Sequence, residues 1–213
     1  MTPVLKNAPN KIRGLYAIID TSLIAMSEAE KTAVEILEGG ARIIQLRAKD
    51  APTGHMLEAA RKIRALTVSY GALFMVNDRV DVALLSRANG VHLGNDDIPA
   101  EDARKLLGKN ALIGISTHTR HEALEARKRG ADYISFGPVF ATKTKKDALS
   151  PRGLNALKQA IEAVSIPVVA IGGINEKNLS DVLACGVDAT AIISDILTSK
   201  DIGAKVTRIR AGF

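Results

Sequence analysis

The chain has 213 residues and a net charge of +6, and 46% of its residues are apolar whereas only 3% are aromatic. This composition predicts one domain over residues 1–213, with an aliphatic α/β core and a polar extension at residues 1–12, and it argues against an aromatic-rich β-sandwich. The single cysteine excludes an internal disulfide framework, and without a signal peptide or a membrane-spanning apolar run the protein is expected in the cytoplasm.

The positive charge narrows the expected partners. It suits small anionic substrates, and because no long basic run alternates with aromatic residues, neither nucleic acid nor a membrane is expected as a partner. The sequence leaves the oligomeric state open, and a homo-oligomer is compatible with it.

The first predicted unit is a strand followed by a helix. Residues 14–19 form an apolar run typical of a buried strand, which ends at Asp20. Ser27 and Glu30 then have the spacing of a capping box, which predicts the start of the first helix.

The second predicted strand, residues 42–47, carries polar side chains where a buried strand normally ends apolar. Gln45, Arg47 and Lys49 alternate, so all three are expected on one side if the extended geometry persists. Two interpretations stay open. The charges belong to a surface strand end, or they bind an anion, since burying this much positive charge without an anion would be costly.

Acidic residues follow the third and fourth predicted strands, residues 72–76 and 90–94. Asn77-Asp78 and Asp97 can cap the helices that come next. Placed together, Asp78 and Asp97 would instead form a hard oxygen site suited to Mg²⁺, which takes one or two protein carboxylates plus phosphate oxygens. His92, inside the fourth strand, is either a hydrogen-bonded core residue or a ligand-binding residue.

Hydroxyl groups follow the fifth predicted strand, residues 111–115, where Ser116 is the next residue. The spacing of Thr119 and Glu122 predicts a capping box for the following helix. The loop after the sixth predicted strand, residues 131–135, suits a phosphate because it offers hydroxyl and ammonium donors, although a lysine-rich loop can equally be a solvated surface turn. These donors are Thr142, Thr144 and Lys145.

The last two predicted strands are residues 166–171 and 187–193. Gly172-Gly173 follows the seventh strand and precedes a helix predicted from Asn175 to Ala184, so backbone N–H groups can approach a phosphate here. Ser194 follows the eighth strand.

Eight strands alternating with helices predict an α/β fold, a single (β/α)₈ TIM barrel. The alternative is an open doubly wound sheet, but no G-x-G-x-x-G follows the first strand. In a barrel the C-terminal ends of all strands lie on one face, and active sites are found on that face. Two anion sites are therefore expected there. A phosphate would bind Gly173, Ile193 and Ser194, closed by Thr142 and Thr144. A diphosphate would bind Arg47, Lys49, Asn77, Ser116 and Lys145, beside a metal on Asp78 and Asp97.

Six motifs in this order resemble those of the thiamine phosphate synthase family, and they lie between about Leu15 and Ile196. They are Gln45-Leu46-Arg47-Ala48-Lys49, Asn77-Asp78-Arg79, Val91-His92-Leu93-Gly94, Gly114-Ile115-Ser116-Thr117-His118-Thr119, the segment from Gly137 to Lys145, and Gly172-Gly173-Ile174.

The resemblance implies a transferase that joins 4-amino-2-methyl-5-(diphosphooxymethyl)pyrimidine to 4-methyl-5-(2-phosphoethyl)thiazole, giving thiamine phosphate and diphosphate. It implies Mg²⁺ on Asp78 and Asp97 and a dissociative mechanism, in which the diphosphate leaves before the thiazole nitrogen attacks. The implied catalytic residues are Arg47, Lys49, Ser116 and Lys145. The implied substrate-binding residues are Gln45, Arg47, Lys49, Asn77, His92, Ser116, Thr142, Thr144, Lys145, Gly173, Ile193 and Ser194.

Two alternatives remain on the same barrel. The related thiazole tautomerase is an isomerase, and it has a histidine where this chain has Pro138, which favours the synthase. A non-catalytic barrel that binds a phosphate ligand would need no metal, so its ligand affinity would survive the loss of Asp78 or Asp97.

Overall fold

The computed structural model describes residues 12–142, 144 and 149–213. Within them, eight parallel strands alternate with helices and close into a barrel in chain order, with the eighth strand paired to the first. The predicted (β/α)₈ barrel is therefore confirmed, and the open doubly wound sheet is wrong.

The bounds of the elements are as follows. The strands are β1 Gly14–Asp20, β2 Ile43–Arg47, β3 Leu73–Asn77, β4 Gly90–Leu93, β5 Leu112–Thr117, β6 Tyr133–Phe136, β7 Val168–Ile171 and β8 Ala189–Ile192. The helices, after a 3₁₀ turn at Met26–Glu28, are α1 Ala29–Glu38, α2 Thr53–Ser69, α3 Val80–Ser86, α4 Ala100–Leu107, α5 Arg120–Lys128, α6 Gly153–Ala163, α7 Leu179–Leu183, α8 Ser194–Leu197 and α9 Ile202–Arg210.

The core has two layers because side chains alternate along each strand. In β2, Ile43 belongs to the cluster inside the barrel, whereas Ile44 and Leu46 pack outward against the helices. The same alternation places Gln45 on the inner side. Among the described residues, no helix combines the length and apolar character needed to cross a bilayer.

The helix starts agree with the predicted caps in one case and differ in two. Thr119 caps α5 as predicted, since its Oγ1 accepts from Glu122 N at 3.1 Å. The capping box at Ser27 is wrong, because α1 begins at Ala29 after a 3₁₀ turn and Glu28 instead accepts from Ala25 N.

The predicted helix start at Asn175 is also wrong, because α7 begins at Leu179. Asn175 N donates to Asn178 Oδ1 at 2.8 Å, and the side-chain amides of both asparagines donate to Gly173 O. These bonds satisfy the backbone locally and hold the segment as a turn.

A repeated side-chain hydrogen bond joins strands at the N-terminal rim of the barrel. Asn89, Asp132 and Asp188 directly precede β4, β6 and β8. Their side-chain oxygens accept from Phe74 N at 2.9 Å, Ile113 N at 2.7 Å and Val168 N at 3.0 Å, respectively. Each bond therefore fastens the start of an odd-numbered strand to the next even-numbered one. The sixth and eighth strands begin at Tyr133 and Ala189, two residues later than predicted.

Candidate active site

A cavity of about 360 Å³ lies at the C-terminal ends of the strands, and every strand or the segment that follows it contributes to its wall. All of the predicted site residues that the structure describes line this one cavity. They are Gln45, Arg47, Lys49, Asn77, Asp78, His92, Asp97, Ser116, Thr142, Thr144, Gly173, Ile193 and Ser194. Lys145, also predicted at the site, lies outside the described residues.

Arg47 is held by a buried carboxylate that the sequence analysis missed. Its Nη1 lies 2.8 Å from Oδ2 of Asp20, and the two side chains are only 12% and 2% exposed. Asp20 Oδ1 also accepts from the backbone N and the hydroxyl of Ser22. The available signal was positional, since Asp20 ends β1 directly opposite Arg47 at the end of β2.

Arg47 retains donor capacity in this arrangement. Its Nε is buried and has no hydrogen-bond partner among the residues that the structure describes. A guanidinium offers five N–H donors, so a cation already fixed by Asp20 can still donate to an anion in the cavity.

Asp78 and Asp97 lie side by side, and neither caps a helix. Helices α3 and α4 begin after Arg79 and Pro99, without a side-chain cap. Burial, reinforced by the adjacent Asp97 carboxylate, raises the pKa of Asp78 to about 6, against the opposing effect of Lys49. The Lys49 Nζ lies 3.3 Å from Asp78 Oδ2.

The backbone around these carboxylates is specific. Asp78 has a φ of 61°, a left-handed conformation that Asp tolerates better than most residues, and its N–H donates to His92 O. Asp97 Oδ2 accepts from Gly94 N at 2.6 Å. Two acidic groups are thus fixed next to each other at the cavity wall, and one lysine offsets their charge. No cluster of three or more metal-binding side chains occurs in the part of the chain that is described.

The floor of the cavity is a hydrogen-bonded chain of side chains inside the barrel. Gln45 Nε2 donates to the Tyr16 hydroxyl at 2.8 Å, and the hydroxyls of Tyr16 and Tyr133 are 3.0 Å apart. His92 Nδ1 lies 3.0 Å from the Tyr133 hydroxyl. His92 is therefore hydrogen-bonded in the core and also lines the cavity.

Two tyrosines and one serine of this floor were missed from the sequence. Tyr16, Tyr133 and Ser135 all line the cavity, yet they lie within runs that predict only buried strands. Burial raises the pKa of both phenols above the ordinary value, which keeps them neutral. A tyrosine in an otherwise aliphatic strand was the one available signal, since a buried hydroxyl needs a partner.

The opposite wall of the cavity is built from close backbone contacts. A Cβ on Gly173 would overlap Ala141 O and Phe140, and a Cβ on Gly172 would overlap Pro138. Thr142 Oγ1 accepts from Thr144 N at 3.3 Å. A second cleft of about 740 Å³ shares Thr142, Gly173 and Ser194 with the main cavity.

One side chain of the second cleft was also missed. Lys205 Nζ lies 3.1 Å from Asp195 and 3.0 Å from Glu176, so α9 is tied to the segments that follow β7 and β8. Its signal in the sequence is weak, because a lysine on a late helix is usually solvated.

Fold and cavity together define the chain as a (β/α)₈-barrel enzyme, with its polar residues gathered at the catalytic face of the barrel. Residues 15–196 match the thiamine monophosphate synthase family, and the chain belongs to this family.

Relatives named thiamine-phosphate synthase match over most of their length. The protein of Pyrococcus horikoshii is 50% identical over 188 residues, covering 88% of each chain. That of Pelotomaculum thermopropionicum is 42% identical over 207 residues, covering 93% of this chain and 95% of the relative.

Solved structures agree. Thiamine phosphate pyrophosphorylase from Pyrococcus furiosus is 43% identical with a TM-score of 0.88, covering 95% of this chain and 96% of that one. A 3-hexulose-6-phosphate synthase, 19% identical with a TM-score of 0.69 and covering 93% of this chain and 99% of that one, shares the fold.

Proposed function

We propose that the protein joins 4-amino-2-methyl-5-(diphosphooxymethyl)pyrimidine to 4-methyl-5-(2-phosphoethyl)thiazole, giving thiamine phosphate and diphosphate. The observation that carries this proposal is that thirteen of the predicted site residues line one cavity, in a chain of this family. One wall of the cavity carries Arg47 and Lys49 beside the carboxylates of Asp78 and Asp97, and another wall is built from close backbone turns. Two different walls suit two phosphorylated substrates held at once.

The two walls suggest where each substrate binds. The diphosphate would lie against Arg47, Lys49, Asn77 and Ser116, with Lys145 as a further proposed donor. The thiazole phosphate would lie against the turns that follow β7 and β8, where the backbone at Gly172 and Gly173 adopts positive φ angles. Its proposed contacts are Thr142, Thr144, Gly173, Ile193 and Ser194.

Asp78 and Asp97 fit a divalent cation. Two carboxylates close enough to raise one pKa repel each other, and Lys49 only partly offsets this repulsion. Mg²⁺ commonly uses one or two carboxylates together with substrate phosphate oxygens. We therefore propose that both carboxylates hold Mg²⁺, which would supply positive charge to the departing diphosphate.

In this reaction the protein has to stabilise the charge of the leaving group and position the two substrates. The bond between the pyrimidine methylene carbon and the diphosphate oxygen breaks, and its electron pair leaves with the diphosphate. The thiazole nitrogen lone pair forms the new C–N bond, and no proton is transferred. Arg47 and Lys49 stabilise the leaving anion, and the opposite wall holds the thiazole in line.

A coupling assay tests the proposal. Purified protein with both substrates and Mg²⁺ should release diphosphate and thiamine phosphate in equal amounts, and EDTA should stop the reaction. Asp78→Asn and Asp97→Asn should lower kcat at least about a hundredfold, the scale expected when a transition-state charge is lost. Asp102 is an exposed acidic residue of α4 that lies outside the cavity, so the control variant Asp102→Asn should retain activity.

Three outcomes would contradict parts of this proposal. Isomerisation of the thiazole without coupling would favour the tautomerase. Binding of both substrates without turnover would favour a non-catalytic barrel. Full activity in EDTA would remove Mg²⁺ from the proposal and leave the coupling reaction in place.

A further inference from the structure

The hydrogen-bonded chain at the cavity floor links four strands. It runs from Gln45 on β2 through Tyr16 on β1 and Tyr133 on β6 to His92 on β4. Both phenols are almost completely buried, at 2% and 0% exposure. The far side of the imidazole, Nε2, lies 3.1 Å from the hydroxyls of both Ser116 and Ser135.

Each phenol and each ring nitrogen of His92 can donate or accept, so the distances alone allow the chain to run in either direction. The Gln45 amide nitrogen can only donate, and the direction that continues from it has Tyr16 donating to the Tyr133 oxygen and Tyr133 donating to His92 Nδ1. An imidazole that accepts at Nδ1 carries its proton on Nε2, and that proton faces the two serine hydroxyls.

A glycine on β5 makes room for the contact between His92 and Tyr133. Gly114 on β5 lies in register with His92 on one side and Tyr133 on the other. A Cβ at this position would come within 2.5 Å of His92 Nδ1 and would overlap the Tyr133 hydroxyl. Only glycine lets the two side chains meet across β5.

We propose that Tyr133, supported by Tyr16, is a positioning residue that sets which hydrogen-bonding groups the cavity floor presents to the pyrimidine. With Nε2–H donating to serine, the Ser116 hydroxyl keeps its own hydrogen for a ligand acceptor. With Nε2 of Gln45 engaged by Tyr16, its amide oxygen is left for a ligand donor.

This arrangement matches one class of heterocycle. An aminopyrimidine offers an N–H donor beside a ring nitrogen acceptor, which complements an acceptor on Gln45 and a donor on Ser116. The corresponding oxo-pyrimidine, which replaces the amino donor by a carbonyl acceptor, should bind more weakly. The assignment rests on the proposed function, because that function supplies the pyrimidine.

The test uses Tyr133→Phe, with Tyr70→Phe as a control on the protein surface. Proton-detected ¹⁵N spectra of the imidazole should show the His92 proton on Nε2 in the unaltered protein and in Tyr70→Phe. Tyr133→Phe should lose this preference. Its KM for the pyrimidine diphosphate should rise about tenfold, the effect of one hydrogen bond, while KM for the thiazole phosphate stays within about twofold.

A second variant keeps the test decisive if Tyr133→Phe folds poorly. Tyr16→Phe leaves the Tyr133–His92 contact in place, so the tautomer should persist while the pyrimidine KM rises. A His92 proton on Nδ1 in the unaltered protein would overturn the proposal, as would an unchanged tautomer and KM in Tyr133→Phe. If the coupling reaction itself fails, no product forms in any variant. The position of the His92 proton would still show in which direction the hydrogen bonds run.

Discussion

Arg47 shows how a buried cation is kept at a site that is expected to bind an anion. The charge of Asp20 compensates it, and Ser22 holds that carboxylate from the other side. Because the pair spans β1 and β2 in register, it also fixes the height of the guanidinium above the cavity floor. The sequence predicted the cation but not its partner, since the pairing depends on strand register.

Removal of the Asp20 charge should therefore destabilise the fold. Asp20→Asn leaves Arg47 buried without a counter-charge, and we expect the free energy of unfolding to fall by about 3 kcal/mol. The exposed Arg79–Asp81 pair provides a matched control, for which Asp81→Asn should cost less than about 1 kcal/mol. Urea unfolding measures both, and equal losses would contradict the prediction.

Removal of the Asp78 charge should instead stabilise the fold. This charge is repelled by Asp97 and penalised by burial, so Asp78→Asn should raise the free energy of unfolding by about 1–2 kcal/mol without Mg²⁺. Asparagine also tolerates the left-handed backbone at this position. Thermal unfolding in EDTA measures the effect, with Asp102→Asn as control. A loss of stability would mean that the attraction of Lys49 exceeds the repulsion.

The buried phenols predict a loss of stability in alkali. Burial raises the pKa of Tyr16 and Tyr133 in the folded protein, whereas phenols of the unfolded chain ionise near pH 10. Above about pH 10 the unfolded state therefore binds fewer protons, so the free energy of unfolding falls as pH rises.

Urea unfolding between pH 8 and 11 tests this dependence. Tyr133→Phe should show a shallower decline than the unaltered protein, because one buried phenol is gone. Tyr70→Phe keeps both buried phenols and should retain the full decline. If the free energy of unfolding of Tyr133→Phe fell as steeply with pH as that of the unaltered protein, the buried Tyr133 phenol would not be a cause of the alkaline loss of stability.

At the scale of the elements, strands were easier to predict than helix starts. A buried parallel strand is a run of apolar residues, and all eight runs became strands. A helix start depends on which local hydrogen bond wins, as at Asn178, where an asparagine turn replaces the predicted first helical turn. The cavity floor was unpredictable for another reason, since Tyr16 and Tyr133 are brought together only when the barrel closes.

The two capping boxes give a matched test at this scale. Thr119→Ala removes an observed N-cap and should lower the free energy of unfolding by about 1 kcal/mol. Ser27→Ala removes a hydroxyl from an exposed position without a cap bond and should change it by less than about 0.5 kcal/mol. Urea unfolding of both variants separates them, and comparable losses would restore a capping role for Ser27.

At the scale of the whole molecule, the two ends of the barrel have different tasks. The C-terminal end gathers charged and polar side chains around a cavity, including acidic groups that repel each other. The N-terminal end uses polar side chains to bind the backbone of the neighbouring strand. The repulsion between carboxylates at the C-terminal end is thus separated in space from the hydrogen bonds that join the strands at the N-terminal end.

The rim bonds of Asn89, Asp132 and Asp188 join β3 with β4, β5 with β6 and β7 with β8, so we expect halves of the chain that keep these pairs intact to associate better than halves that divide one. A chain cut between Lys109 and Asn110 would leave every such bond inside one half, whereas a cut between Arg129 and Gly130 would part Asp132 from Ile113. Co-expressed halves from the first cut should copurify in higher yield than those from the second. Equal recovery would mean that neighbouring strands associate without regard to these pairs.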